Sequence, residues 1–260
     1  MTAKQERSVD FIQSLERGLS VINSFSSERP GQTLSEVADQ TGLTRATARR
    51  VLLTLTELGY VDQRGRVFSL TPKVLELGYS FLSSLRVVDV AQPSMERLVD
   101  QVRESSSMSV LDGPQIVYVA RVPTKRIMTI ALALGSRLPA YPTSMGRVLL
   151  AGLPEARLEE LIEQTEFEEL TPHTITDRGR FRELIHQCRE DGFALVDQEL
   201  EEGVRSIAAP IRNRRGEVIA AMNVSCHASR VDVECMYEVF KPQLLEAAAE
   251  ISDRVRSLSL

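Results

Sequence analysis

The segment that most constrains the fold of this chain runs from residue 33 to residue 61, TLSEVADQTGLTRATARRVLLTLTELGYV. Gly42 can adopt the positive φ that ends a short helix, and the residues around it have helical apolar spacing, at Leu34, Val37, Ala38 and Leu43. Thr44 can then cap a second helix, whose predicted buried stripe comprises Ala48, Val51, Leu52, Leu55 and Leu58. Two short helices joined by a glycine turn predict a helix-turn-helix, whose second helix enters the major groove of DNA.

Arginine side chains concentrate on the face of the second helix that points away from the predicted core. Residues 43–66 carry five arginines and a net charge of +3, although the whole chain carries −5. Arg45 and Arg49 are candidates for base contacts, because a guanidinium fits the O6 and N7 acceptors of guanine. The small residues Ala46 and Thr47 allow close approach to the duplex, and phosphate contacts are expected from Thr44, Arg50, Arg64 and Arg66. The alternative is that these arginines merely solvate an exposed helix face.

The residues on either side of this segment extend it into a winged helix. Downstream, GYVDQRGRVFSLTP predicts two strands joined by a tight turn at residues 64–66. Upstream, SLERGLSVINSF predicts the first helix of a three-helix core, with an apolar face of Leu15, Leu19, Ile22 and Phe25. A winged helix-turn-helix domain is therefore predicted for residues 1–72.

A linker helix is predicted for residues 73–92, where KVLELGYSFLSSLRVVDVAQP has apolar residues at helical spacing as far as Pro93, which is expected to end the helix. Its apolar surface is broader than contact on one side requires, so it is expected to pack against a second copy of the chain as well. A dimer would place two winged helices about 34 Å apart, at successive half-sites of double-stranded operator DNA.

Residues 93–260 are predicted to form an α+β domain with an antiparallel sheet. After a helix from Ser94 to about Glu104, strand-like runs are SMSVLDG, QIVYVARVP, IMTIALALG, GFALVDQEL, VRSIAAPIR and EVIAAMNVSC. A hairpin turn is expected at residues 213–216. Helices are predicted at Ser144–Leu150, Glu155–Glu163, Asp177–Asp191 and Pro242–Leu258.

The expected ligand site of this domain lies near GSRLPAYPTSMGRVLLAGLP. Thr143 and Ser144 precede a helix whose free N–H groups favour an anion such as a carboxylate. Further polar candidates interrupt apolar strands at Ser206, Asn223 and Ser225, and Arg137 and Arg205 are possible counter-charges. Alternatively, Thr143 is a plain N-cap, and the polar strand residues satisfy neighbouring backbone groups.

Composition narrows the class of protein. A pI near 5.4 argues against coating of nucleic acid or anionic membranes through bulk charge, and no apolar run is long enough to span a membrane. The N-terminus lacks the apolar core of a signal peptide, so a cytoplasmic location is expected. Three cysteines and three histidines are too few and too widely spaced for a disulfide framework or a metal site, and no metal or cofactor is predicted.

Motifs of catalysis are not found: the chain has no G-x-S-x-G, phosphate-binding loop, G-x-G-x-x-G or H-E-x-x-H. We therefore expect a regulator and not an enzyme. Two alternatives remain at this stage. The chain could be an enzyme that carries a DNA-binding module, or an architectural DNA-binding protein whose C-terminal domain only oligomerises.

Over nearly its full length the sequence resembles the IclR family of bacterial transcription regulators. The resemblance rests on SLERGLSVINSF, LSEVADQTGLTRATARRVLLTLTELGYV, LPAYPTSMGRVLLA and DGFALVDQELEEGVRSIAAPI. Within the family it is most similar to regulators of the β-ketoadipate pathway, through ESSSMSVLDG, YVARVPTKRIMTI and the loop at residues 141–146. It implies a GAF-like effector domain, dimers that pair into tetramers, and RNA polymerase as a further candidate partner.

The resemblance also implies an effector site and a class of effector. Effector-binding positions carried over from the family, with the loop residues before the helix, are Ala140, Thr143, Ser144, Met145, Val196, Val204, Ser206, Asn223 and Ser225. Val196 stands where relatives that respond to small keto acids have Asp. Loss of that polar group favours a larger and more apolar anion, so the expected effector is an aromatic acid or a dicarboxylate of the β-ketoadipate pathway.

Overall fold

The computed structural model describes residues 8–26, 28–84, 86–124 and 132–257. The chain divides after residue 84 into two compact units. In the described ranges, no helix combines the length and the apolarity that crossing a membrane requires.

The N-terminal unit is a winged helix-turn-helix, as predicted. Its elements are α1 (Gln13–Asn23), β1 (Gly31–Thr33), α2 (Leu34–Thr41), α3 (Arg45–Glu57), β2 (Val61–Arg64), β3 (Val67–Leu70), a 3₁₀ turn (Pro72–Val74) and α4 (Leu75–Ser84). The three strands form an antiparallel sheet in the order β1-β3-β2. The core between helices and sheet contains Val21, Val37, Ala38, Ala48, Leu52, Leu55, Val61 and Phe68.

Three apolar side chains predicted to lie in this core are exposed instead. Leu15 and Leu19 of α1 are 60% and 48% exposed, and Leu58 beyond α3 is 52% exposed. Val21 is the fully buried residue of α1, because that side of the helix meets α2 and α3. The three leucines line an apolar groove on the other side, together with Leu77 of α4. Helical periodicity located the apolar face correctly but could not tell a core face from a face left open.

The C-terminal unit contains a six-stranded antiparallel sheet in the order β6-β5-β4-β9-β8-β7, which confirms the predicted α+β class. Its elements are α5 (Arg86–Val102), β4 (Ser105–Asp112), β5 (Gln115–Val122), β6 (Arg137–Pro139), α6 (Ser144–Ala151), α7 (Glu155–Gln164), α8 (Arg178–Asp191), β7 (Ala194–Asp197), β8 (Val204–Arg212), β9 (Val218–His227), α9 (Val233–Cys235), a π-helical turn (Met236–Phe240) and α10 (Lys241–Ser257).

Helices cover both faces of this sheet. One core lies between the sheet and α5 with α10, and it includes Met95, Met108, Met222 and Ile251. The second core lies between the opposite face and α6, α7 and α8. Because side chains alternate along a strand, Ser105, Ser107 and Ser109 of β4 face α6, whereas Met108 faces α5.

The helix predicted for residues 73–92 is wrong at its C-terminal end. Pro93 does not end a helix but lies inside α5, so the helix expected to begin at Ser94 is the second half of α5. A proline in a helix removes one hydrogen bond and costs about 3 kcal/mol. Buried apolar side chains on both sides of Pro93 belong to one core, and their burial outweighs this cost: Val87, Ala91, Met95, Leu98 and Val102.

The strand predicted for IMTIALALG falls largely on residues 125–131, which lie outside the described residues. Its described part, residues 132–135, is not a strand, and the short strand β6 follows instead. The hairpin turn predicted at residues 213–216 is confirmed, since the Gly216 amide donates to the Asn213 carbonyl.

Candidate nucleic-acid interface and ligand cavity

The helix-turn-helix is held by local caps at its turn. Thr33 and Glu36 form a reciprocal capping box at the start of α2, and Gly42 ends the helix with φ of 65°. At the start of α3, the Thr44 hydroxyl accepts a hydrogen bond from the Thr47 amide at 3.2 Å. These contacts fix the first turn of α3, which carries the residues predicted to meet DNA.

The arginine side chains of α3 are exposed, and none of them bonds another described residue. Arg45, Arg49 and Arg50 lie on the outer face with Ala46, and Thr47 beside them is partly buried. Among the described residues, no carboxylate forms an ion pair with these three guanidinium groups. Three guanidinium groups without a described carboxylate partner give this helix face a positive charge, which attracts an anionic partner.

The wing places two further arginines at the tip of a rigid hairpin. β2 and β3 are joined through Gly65, with φ of 64°, and Arg64 lies opposite Val67 in the register. The Gln63 side chain donates to the Gly65 carbonyl at 2.9 Å and braces the turn. Arg66 is exposed, whereas Arg64 Nε contacts Asp62 Oδ2 at 3.1 Å in an exposed and therefore weak pair.

In the C-terminal unit, eight of the nine predicted effector residues line one cavity between α6 and the sheet. The cavity is small in this structure, with a volume of about 30 Å³, which is room for only one or two water molecules. The predicted residues that line it are Thr143, Ser144, Met145, Val196, Val204, Ser206, Asn223 and Ser225. Ala140 does not line it. Its carbonyl accepts the Thr143 hydroxyl at 3.0 Å, so Ala140 supports the loop from behind.

The N-terminus of α6 forms the polar end of this cavity. The Thr143 hydroxyl accepts from the Gly146 amide at 3.0 Å, and the Ser144 hydroxyl lies 2.8 Å from that of Ser206. In the part of the chain that the structure describes, the Ser144 and Met145 amides have no hydrogen-bond partner. Two free amides at a helix N-terminus can donate hydrogen bonds to a carboxylate.

Polar strand residues on the cavity side are partly engaged with each other. Asn223 Oδ1 accepts from the Ser107 amide at 3.1 Å, and its Nδ2 donates to the Ser225 hydroxyl at 2.9 Å. Asn223 therefore has a structural role between β4 and β9 in addition to any contact with a ligand.

Neither arginine expected as a counter-charge reaches the cavity. Arg137 bonds Asp112 and Gln115 at the exposed edge of the sheet, and Arg205 bonds Asp197 and the Val231 carbonyl. Both guanidinium groups lie on the side of their strands that points away from the cavity. From the described residues, the cavity thus offers amides and hydroxyls, not a cation, to an anion.

Four lining residues were not predicted: Tyr118, Leu132, Pro142 and Leu200. The register of β4 and β5 shifts between Met108 and Ser109, where Val119 is an extra residue. Tyr118 lies before this bulge and shares a face with Ile116, so the alternation of β5 could have suggested it. Pro142 lies within the predicted loop, and its position there could have suggested it.

A buried ion pair holds α6 in place beside the cavity. Arg147 Nη2 lies 2.6 Å from Glu199 Oε2, and the two side chains are 5% and 9% exposed. Arg147 Nε donates to the Tyr141 carbonyl at 3.1 Å, and its guanidinium lies 5.9 Å from the centre of the Phe181 ring. Glu199 also accepts from the Ile175 amide at 3.2 Å. The pair therefore ties the helix of the cavity to the segments before α8 and after β7.

Other features of this unit offer poorer sites. A more open groove beside α7 is lined by Glu166 and Glu168, whose charges would repel an anion. Among the residues that the structure describes, no His, Cys, Asp and Glu side chains cluster in a way that could hold a metal ion.

Both units match models of known families. Residues 14–65 match the model described as the IclR helix-turn-helix domain, and residues 79–253 match that of the bacterial transcriptional regulator IclR C-terminal.

Similar proteins are known by sequence and by structure. The Pca regulon regulatory protein of Pseudomonas putida is 42% identical, with 93% of this chain and 84% of that protein aligned. The p-hydroxybenzoate hydroxylase transcriptional activator of Acinetobacter baylyi is 36% identical, covering 98% of this chain and 96% of that protein. The crystal structure of an IclR homolog from Microbacterium hydrocarbonoxydans, complexed with 4-hydroxybenzoate, has a TM-score of 0.83 at 27% identity, covering 93% of this chain and 98% of that one.

Proposed function

Because the chain belongs to the IclR family of bacterial transcriptional regulators, we propose that it controls genes of aromatic-acid catabolism through operator DNA and a small anionic effector. The winged helix binds the operator, and the cavity of the C-terminal unit binds the effector. The effector changes transcription only to the extent that it binds one state of the protein more tightly than another.

The observation that carries the DNA-binding part is the free arginine face of α3. We assign base contacts to Arg45 and Arg49, with Ala46 and Thr47 allowing close approach to the bases. Phosphate contacts are assigned to Thr44, Arg50, Arg64 and Arg66. DNA as the target also gives the reason to expect that the protein acts in the cytoplasm.

An aromatic carboxylate fits the chemistry of the cavity. Its carboxylate would accept from the free amides of Ser144 and Met145, close to the hydroxyl groups of Ser144 and Ser206. Apolar walls for a ring are provided by Leu132, Val196, Leu200 and Val204. The similar protein whose structure holds 4-hydroxybenzoate, and the two relatives named for the Pca regulon and for p-hydroxybenzoate hydroxylase, support this class of ligand. A dicarboxylate of the same pathway is the alternative effector.

Self-association is proposed through the N-terminal unit. The apolar groove lined by Leu15, Leu19, Leu58 and Leu77 is open, and α4 exposes further apolar side chains at Leu75, Tyr79 and Phe81. Exposed apolar surface of this extent is typical of an interface between protein chains. A homodimer would bring two recognition helices to two half-sites, and pairing of dimers would give a tetramer.

The family assignment answers the first of the two alternatives, since the relatives are named as regulators and not as enzymes. The second alternative, an architectural DNA-binding protein, is disfavoured by the relatives, which are named as a regulatory protein and as a transcriptional activator.

The test combines ligand binding with transcription. Thermal unfolding of the full chain is measured with 4-hydroxybenzoate, 3,4-dihydroxybenzoate and β-ketoadipate. A ligand at 100 times its Kd stabilises by about 2.7 kcal/mol, which should raise the melting temperature by roughly 5–10 °C. Operator sites are then selected from random duplexes and placed before a reporter, which RNA polymerase transcribes with and without the ligand. A melting temperature that no ligand moves would contradict the effector, and failure to select any site would contradict DNA binding.

A further inference from the structure

We infer that Tyr118 recognises a ring hydroxyl group of the effector, so that the cavity prefers hydroxylated benzoates to unsubstituted benzoate. This inference rests on the proposed function, because it assigns a role to one side chain within the proposed effector cavity. It adds a specificity-determining residue that the sequence did not indicate.

The primary observation is that the Tyr118 hydroxyl makes no hydrogen bond to any described residue. Tyr118 is 5% exposed and lines the cavity. Its hydroxyl group has no hydrogen-bond partner among the described residues. Buried tyrosine hydroxyls usually have a partner, because a polar group removed from water must be compensated.

The remaining polar side chains of the cavity are already paired. Ser144 pairs with Ser206, and Asn223 pairs with Ser225. The Thr143 hydroxyl accepts from the Gly146 amide and donates to the Ala140 carbonyl. Tyr118 is thus a lining side chain whose polar atom makes no hydrogen bond to any described residue, so a ligand can use its full hydrogen-bonding capacity.

Tyr118 lies close to the N-terminal turn of α6. In the sheet register it is level with Ser109, whose hydroxyl lies 3.3 Å from Met145 Sδ. An aromatic acid whose carboxylate meets the Ser144 and Met145 amides would therefore place its ring beside the Tyr118 phenol.

The protonation state of Tyr118 suits a neutral partner. Burial raises the pKa of Tyr118 to about 12, so the phenol is uncharged at neutral pH and can both donate and accept. A ring hydroxyl group can do the same, and a hydrogen bond forms in either direction. Benzoate has no group that could bond the Tyr118 hydroxyl, and a polar site discriminates in this way against an analogue that lacks the matching group.

The experiment measures the affinities of benzoate, 4-methylbenzoate, 4-hydroxybenzoate and 3,4-dihydroxybenzoate for the full chain by calorimetry. We expect at least one hydroxylated acid to bind roughly 10-fold or more tightly than benzoate. In Tyr118→Phe this preference should fall to within about 3-fold, while the affinity for benzoate stays the same. The matched control is Tyr141→Phe: Tyr141 is equally buried, but its hydroxyl bonds the Glu168 backbone outside the cavity. This control should retain the preference.

Each outcome decides a different point. If wild type binds benzoate and its hydroxylated forms equally, or if Tyr118→Phe keeps the preference, the role of Tyr118 is refuted and the proposed function stands. Equal loss of affinity for every acid in Tyr118→Phe would mean a carboxylate contact, and it also refutes the inference. If wild type binds none of the acids, the proposed effector class fails, and the inference fails with it.

The 4-methyl acid keeps the test decisive even if Tyr118→Phe does not fold. Its methyl group fills nearly the same space as a hydroxyl group but cannot hydrogen-bond. If wild type binds 4-methylbenzoate as tightly as the hydroxylated acids, the cavity recognises size alone, which overturns the inference. Weaker binding of the methyl compound, roughly 10-fold or more, supports the hydrogen bond.

Discussion

Replacing Arg147 by Met should strongly destabilise the C-terminal unit, although the two side chains have similar apolar lengths. The substitution leaves the Glu199 carboxylate, 9% exposed, without its cation. It also removes the bond to the Tyr141 carbonyl and the contact with Phe181. Breaking one partner of a buried ion pair costs about 3–5 kcal/mol, and burial this deep leaves little screening by water to reduce that cost. For a unit of this size, the cost corresponds to a fall of roughly 6–20 °C in melting temperature.

Urea unfolding of the full chain, followed by circular dichroism, measures the free energy of unfolding for Arg147→Met. The control variant is Arg182→Met on α8, which breaks the ion pair with Glu159, whose side chains are 39% and 35% exposed. That variant should lose less than about 1 kcal/mol, because water screens the exposed pair. Adding Glu199→Gln to Arg147→Met should recover part of the loss. If Arg147→Met costs no more than Arg182→Met, the pair is hydrated, and its proposed role in fixing α6 is wrong.

Further predictions concern the wing, the helix of the cavity and the thiols. Arg64→Ala should weaken binding to all duplexes alike, as measured by fluorescence anisotropy. It should also reduce the slope of the logarithm of the binding constant against the logarithm of the salt concentration by about one in magnitude. Gly146→Ala would place a Cβ 2.0 Å from a backbone carbonyl oxygen, so it should cost about 3 kcal/mol in urea unfolding and abolish effector binding. Burial raises the pKa of Cys188 and Cys226 to about 12 from 9.0, so the native state keeps both thiols neutral and loses stability as pH rises from 9.0 toward 12. A thiol reagent should therefore modify the partly exposed Cys235 first, and the other two only after unfolding.

The helix-turn-helix was readable from sequence because its determinants are local. The caps at Thr33 and Thr44 and the left-handed Gly42 involve only neighbouring residues, and the structure has all three. The core stripe of α3 was also predicted at Ala48 and Leu52. The same periodicity predicted that the arginines are exposed, because a helix that buries one face leaves the opposite face in solvent.

The errors arose where distant parts of the chain decide the outcome. Leu15 has helical spacing, yet it is exposed because the described unit has nothing to cover that face. Pro93 is tolerated in α5 because apolar side chains before and after it are buried in one core. β1, which was not predicted, is only three residues long and is stabilised by pairing with β3. Such tertiary effects override local propensity.

The ligand cavity was only partly predictable. Loop and strand residues such as Ser144 and Ser206 stood out as polar residues in apolar surroundings, and the structure brings them to 2.8 Å of each other. Tyr118 was missed because nothing in the sequence shows that β5 passes beside the α6 loop, although Tyr118 shares the α6 face with Ile116. The orientations of Arg137 and Arg205 depend on carboxylates that strand pairing brings close, at Asp112 and Asp197.

Methylation protection of an operator tests the DNA-binding account most directly, because dimethyl sulfate attacks guanine N7 in the major groove, where the arginines of α3 are expected to bind. The wild-type protein should protect guanines in two half-sites about one helical turn apart. Arg45→Ala and Arg49→Ala should each remove protection at a particular guanine, while the footprint on the sugar–phosphate backbone persists. Protection that is unchanged in both variants, or confined to the minor groove, would contradict recognition through α3.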